Sequence, residues 1–89
     1  MREIVGGRFA LQDEIGSGSG GEVFKAVDLD DSGASQVAIK FIKGHPDDPT
    51  TKLFFEKETA ALARLNHPNI VRLIDFGWHE ERAQNYVAL

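Results

Sequence analysis

Gly16-Ser17-Gly18-Ser19-Gly20-Gly21 constrains this chain more than any other stretch. Glycine loses the most freedom on being ordered, so such a run interrupts regular structure rather than extending it. Residues 8–15, RFALQDEI, alternate loosely before it and read as a strand. After it, residues 22–28 place Val23, Lys25 and Val27 on one face and Phe24 and Ala26 on the other. Two strands joined by a glycine-rich bend predict a β-hairpin. DLDDSGAS, residues 28–35, is a polar turn leading into a third strand at 36–42, with Val37, Ile39 and Phe41 on one side and Ala38, Lys40 and Ile42 on the other.

The second half changes period. Asp48 is a good helix N-cap and Pro49 suits the first helical position, where no amide hydrogen is needed. A helix is expected from about Pro49 to Leu65, stopped by Asn66-His67-Pro68. NIVRLIDF (69–76) and AQNYVAL (83–89) read as two more strands around a charged turn, HEER. The expectation is an α+β fold: a five-stranded antiparallel sheet with one helix between strands three and four.

Two charges sit where apolar residues belong. At roughly 100° per residue, Phe54, Ala61, Leu62 and Leu65 share one arc of the helix, and Glu58 falls inside it. A carboxylate in an apolar stripe is costly unless paired, although a wet stripe edge would also accommodate it. Lys40 shares its side of the third strand with Ala38 and Ile42, where a lysine at a sheet edge can extend its ammonium to water. One arrangement explains both: the helix packs on the sheet and the two charges neutralise each other.

The glycine run fits G-x-G-x-x-G, and Val23 extends it to G-x-G-x-x-G-x-V. Backbone without side chains can approach phosphate oxygens and offer them amide hydrogens. A dinucleotide-binding loop would need a helix directly after the glycines, and a P-loop would need Gly-Lys-Ser/Thr; here a strand follows. A glycine hairpin between strands is a flap over a nucleotide. IGSGSGGEV, VAIK and a helix glutamate ten residues before Pro68 of NHPNIVRL together resemble the N-terminal lobe of a eukaryotic-type (Hanks-type) protein kinase, from Arg8 onward.

That resemblance implies roles for particular residues. Gly16, Gly18 and Gly21 would shape the flap, with the amides of Ser17, Gly18, Ser19, Gly20 and Gly21 facing the β- and γ-phosphates of ATP. Ile15, Val23 and Ala38 would sandwich the adenine ring, and Leu89 would stand at the back of its pocket. Lys40 would bind the α- and β-phosphates, held by Glu58 on an αC-type helix. Leu62 and Leu73 would belong to an apolar column linking helix and sheet. Gly20 departs from the larger residue the family often carries at the flap tip, which implies a more mobile tip.

Asp75-Phe76-Gly77 spells the family's magnesium-binding tripeptide, but that motif follows a His-Arg-Asp loop in the other lobe. Here His45, His67 and His79 precede Pro, Pro and Glu, so Asp75 is read as a chance match in strand four, exposed or in a turn, and no metal is assigned to it. His45, Asp47 and Asp48 are read as a capped loop rather than a metal site. By the same resemblance residues 8–89 are an incomplete kinase domain and 1–7 an N-terminal extension. The chain stops at Leu89, before the hinge. The Mg2+ ligands, the catalytic aspartate and the protein-substrate site are expected in a C-lobe of the same protein or a separate chain. The 89 residues alone are expected to be inactive and to bind Mg-ATP weakly.

Composition narrows the alternatives. A net charge of −4 with no basic run argues against a nucleic-acid partner. No cysteine excludes thiolate metal sites and disulfides, and nothing approaches the roughly 18 apolar residues of a membrane span. A cytoplasmic serine/threonine kinase lobe is the expectation. The competing one is a non-catalytic binding module that acts on a separate partner through the surface a second lobe would cover.

Overall fold

The computed structural model of the chain describes residues 2–18, 21–45, 47–64 and 73–89, with residues 61–64 described as backbone. One antiparallel sheet holds β1 (Ile4–Val5), β2 (Phe9–Gly18), β3 (Gly21–Asp28), β4 (Gln36–Ile42), β5 (Asp75–His79) and β6 (Gln84–Ala88), in the order β1-β2-β3-β4-β6-β5. A helix, α1 (Pro49–Arg64), separates β4 from β5 in sequence, and a 3-10 turn at Glu80–Arg82 joins β5 to β6. Among the described residues no helix is long and apolar enough to cross a membrane.

The strand beyond the expected five is β1, contributed by residues read as an extension. Gly6 and Gly7 make its turn into β2 with φ of 61° and 65°, in the left-handed region glycine tolerates. The turn also lies close against Tyr86, whose hydroxyl a Cβ at Gly6 would strike. Two residues are too few to show a period, so only the Gly-Gly pair signalled this strand. Val5, fully buried, then joins the core.

Alternation along the strands builds that core on one face of the sheet. Phe9 and Leu11 of β2, Ala26 of β3, Val37, Ile39 and Phe41 of β4, and Tyr86 and Ala88 of β6 form a single cluster with Val5. Phe24 meets Phe41 edge to face at 5.7 Å between ring centres. Gly77 lies opposite Tyr86, and a side chain there would press on the Tyr86 ring. Burial pushes the pKa of that tyrosine above its ordinary value. At the outer end of β3, Arg8 donates from Nε and Nη2, one edge of its guanidinium, to the two oxygens of Asp28, each at 2.8 Å.

The helix starts as its sequence predicts. The Thr50 amide donates to Asp48 Oδ1 at 3.1 Å, an N-cap bond, with Pro49 in the first turn. Its inward face is rotated from the expected arc: Thr51 and Thr59 are buried and Phe55 half-buried, whereas Phe54 is 48% exposed. Thr59 can be buried because its hydroxyl donates to the Phe55 and Glu56 carbonyls one turn back. Phe55 packs edge to face on Phe76 of β5, 6.0 Å between centres. Leu65 and the expected side chains of Ala61 and Leu62 lie outside the described residues.

Other boundaries moved too. Strand β2 runs through Gly16, Ser17 and Gly18, and β3 begins at Gly21, so the glycine run is mostly strand. The expected strand at 69–76 is β5 at Asp75–His79, with 69–72 outside the described residues. Pairing with β6 carries it through Gly77 and His79, residues whose own propensities argue against a strand. Ala83 adopts a left-handed φ of 50° and ends the turn before β6.

Truncating Phe41 to alanine should lower stability by about 3–5 kcal/mol, read from urea unfolding. Stability should also depend on two paired carboxylates. The Arg82 guanidinium beside Glu3 and the Arg8 guanidinium beside Asp28 hold both below the usual carboxylate range. Each therefore contributes fully above the unfolded value of about 4, and that contribution is lost as pH falls through the lower folded value. The urea midpoint should be flat above about pH 5 and drop below it. Glu3→Gln and Asp28→Asn should each make the drop shallower.

Candidate functional site

Because β4 sends Val37, Ile39 and Phe41 into the core, Ala38, Lys40 and Ile42 must emerge on the opposite face. Strand register then determines what accompanies them. Gly16 pairs with Val23, Val23 with Lys40, and Lys40 with Val87, a row across four strands. Directly opposed residues in antiparallel strands point to the same side. Ala38 exchanges two backbone hydrogen bonds with Leu89, at 3.0 and 2.9 Å. Gly16, Val23, Ala38, Lys40 and Leu89 are thus gathered on one face although they span most of the chain.

The glycine hairpin closes over one end of this row. Gly18 pairs with Gly21; Ser19 and Gly20 lie outside the described residues. Gly21 has φ of 133° and packs so closely on the Phe41 carbonyl that no side chain fits there. At Gly16, by contrast, an added Cβ would meet no atom within 4 Å, so the space beneath the hairpin is open. Ser17 pairs with Glu22 and so belongs to the other face. Ile15 sits where β2 gains a residue on β3, since Glu14 pairs with Phe24 but Gly16 with Val23. Such a bulge bends and twists the strand. Ile15 is 60% exposed at this bend.

Helix α1 brings the counter-charge. Lys40 Nζ donates to Glu58 Oε1 at 3.0 Å, and the side chains are only 24% and 20% exposed. The two misplaced charges of the sequence meet each other. Glu58 Oε2 is buried and has no hydrogen-bond partner among the described residues. An ammonium has three donors, so one bond to Glu58 leaves Lys40 able to hold an anion as well. Leu73 is half-buried just before β5, while the Leu62 side chain is outside the described residues.

Tested against this geometry, the chemistry of the residues present suits a nucleoside triphosphate. It would find an ammonium already oriented, an open space at Gly16 and a hairpin too lean in side chains to obstruct it. A magnesium ion finds no comparable set among the described residues. Among the described residues the one group of three potential ligands is Glu3, His79 and Glu81. Glu3 is already taken by Arg82 and His79 in that group. Asp75 opens β5, half-buried, with its Oδ1 accepting the Phe76 amide at 2.8 Å. Asp47 donates its amide to His45 Nδ1, and Asp48 caps the helix.

Glu3, His79 and Arg82 escaped sequence reasoning altogether. Arg82 donates from Nε and Nη2 to the two oxygens of Glu3, 79 residues away, at 2.8 and 3.0 Å. His79 Nε2 lies 2.6 Å from the same carboxylate. Contacts across that separation leave no local pattern. Only the charge at Arg82 in an otherwise acidic turn hinted at a partner.

Residues 9–88 match the family described as Protein kinase domain. Serine/threonine-protein kinase A of Synechocystis sp. is 34% identical over 88 residues, 97% of this chain and 17% of that protein. Probable serine/threonine-protein kinase PknB of Lactococcus lactis is 33% identical over 88 residues, 98% of this chain and 14% of its own length. The chain thus spans less than a fifth of these relatives. The crystal structure of the Mycobacterium tuberculosis PknI kinase domain aligns with a TM-score of 0.72 over 97% of this chain and 34% of that one. At 24% identity this is a likeness of fold.

Gly21→Ala should strain the hairpin twice, through its φ and through the Phe41 carbonyl. A loss of at least about 1–3 kcal/mol is expected. Gly16→Ala, which meets open space, should cost far less, and urea unfolding of the two variants side by side tests the contrast.

Proposed function

The chain belongs to the protein kinase family, and we propose that it is the ATP-binding lobe of a serine/threonine kinase, which transfers the γ-phosphate of ATP to a protein hydroxyl. The Lys40–Glu58 pair, set in the row that contains Gly16 and Val23, carries this reading. Residues 8–89 are the lobe, and 1–7 an N-terminal extension that lends it an edge strand.

In this reading Lys40 holds the α- and β-phosphates while Glu58 fixes its position. Transfer of a phosphoryl group is chiefly positioning and charge stabilisation, so an ammonium held in advance lowers the barrier without being reorganised. Amides of the hairpin from Ser17 to Gly21 cover the β- and γ-phosphates. Ile15, Val23 and Ala38 enclose the adenine, with Leu89 at its back. The net charge of −4 repels a polyanion, so capture depends on these local donors. Magnesium would shield the phosphates when bound, and its ligands would come from a second lobe, of the same protein or a separate chain. The buried, unpartnered Glu58 Oε2 supports a donor arriving from outside the described residues.

A second reading, a non-catalytic binding module, draws on the exposed apolar side chains Leu53, Phe54, Phe76 and Trp78. A docking module has no use for a preset lysine and an open glycine hairpin, which favours the kinase.

In the full-length protein, Lys40→Met should reduce phosphoryl transfer about a hundredfold or more while the fold is retained by circular dichroism. Glu58→Gln should reduce it less, because the lysine remains but is no longer held. Substantial transfer by the Lys40→Met protein would remove Lys40 from this role. Calorimetry on the 89 residues alone should show no measurable Mg-ATP binding, and micromolar affinity would place the binding energy elsewhere.

A further inference from the structure

We infer that Arg82 is a positioning residue for the glycine hairpin, held from behind by Glu3 and itself holding Glu22. The inference rests on the nucleotide-covering role proposed above. It adds residues from the opposite face of the sheet and, in Glu3, one that precedes the family match at residues 9–88.

Arg82 is committed on every side. Its Nε and Nη2 are taken by the Glu3 carboxylate, at 2.8 and 3.0 Å. Its Nη1 lies 3.7 Å from Glu22 Oε2. Its guanidinium carbon lies over two aromatic rings, 4.7 Å from the centre of Phe24 and 4.6 Å from that of Phe41. Cation–π contact and a forked carboxylate pair both favour arginine over lysine. His79, buried against Phe41 with its Nε2 on Glu3, closes the cluster from the β5 side. A group fixed by the core, by the N-terminal strand and by the β5–β6 turn is a rigid post.

Glu22 is what the post holds. Between Ile15 and Phe24 it is the only charged residue, so it is the one side chain through which a charge pair can steer the hairpin. Its register partners are Ser17 and Phe41, which puts it on the face that carries the core, away from Lys40. There it borders a groove of about 300 Å³ with Ser17, Gly21, Lys43 and Gln84, its side chain half exposed. Gly21 beside it has no side chain with which to anchor the strand. Holding Glu22 also neutralises a carboxylate that would otherwise repel phosphates brought under the same hairpin.

The test uses the full-length protein with ATP, and hydrogen exchange of the amides at 16–23. Glu22→Gln removes the pair at a half-exposed position and should leave the melting temperature nearly unchanged. It should raise KM for ATP about two- to fivefold, the range of a partly exposed ion pair, with kcat nearly constant and faster exchange in the hairpin. Glu3→Gln should move KM and exchange in the same direction. The double variant should be no worse than the larger single effect, because both cut one chain of contacts. Unchanged KM and exchange in Glu22→Gln would overturn the inference, as would additive effects in the double variant. If Glu3→Gln unfolds the protein, Glu22→Gln still decides. Absence of ATP-dependent transfer in the unaltered protein would overturn the kinase reading alone, and the exchange measurements would still judge Arg82.

Discussion

One charge pair fastens the helix to the sheet at the point where the chemistry would occur. Lys40 leaves β4 on the face opposite the core, and Glu58 meets it from α1 at 3.0 Å. Beside it, Phe55 of the helix meets Phe76 of β5 edge to face. Partly buried ion pairs add little net stability, because desolvation offsets most of their attraction. Their value lies in direction: removing either partner leaves a charge stranded in a poorly hydrated place. The pair therefore specifies where the helix sits more than how firmly the domain holds together.

Stability comes from the other side of the same strands. Val37, Ile39 and Phe41 alternate with Ala38 and Lys40 along β4, so one strand supplies the core and the site at once. Burying Phe9, Phe41, Ile39 and Val5 completely contributes roughly 1.5–3 kcal/mol for each large side chain. The face that carries Lys40 buries Val87 and Ile42 as well, but leaves open space at Gly16.

The hairpin joins both faces. Gly16 and Val23 look toward Lys40, while Ser17 and Glu22 look toward the aromatic end of the core, where Arg82 stands. Glycine permits the close pass of Gly21 over the Phe41 carbonyl, and the same lack of side chains leaves the hairpin few anchors. A single carboxylate and a single guanidinium supply one. Glu3, just before the N-terminal strand, enters the same assembly, so the first residues of the chain reach the glycine hairpin through one intermediary.

Much of this was legible in the chain. The alternation of β4, the Asp48-Pro49 helix start and the glycine hairpin each follow from local chemistry: side-chain period, a capping oxygen, backbone freedom. Even the Lys40–Glu58 pair could be read, because a charge inside each of two apolar patterns needs a partner. Other features depend on residues far apart in sequence. The inward face of α1 turned toward Thr51, Phe55 and Thr59 because Phe76 lies opposite. The strand at Asp75–His79 exists because β6 pairs with it, against the leanings of Gly77 and His79. The strand at Ile4–Val5 and the Glu3–Arg82–Glu22 chain were decided only by folding. The amino-acid sequence alone determined which residues of each strand share a face. Tertiary structure decided which residues meet, since an ion pair over 79 residues is a property of the folded sheet and of no local segment.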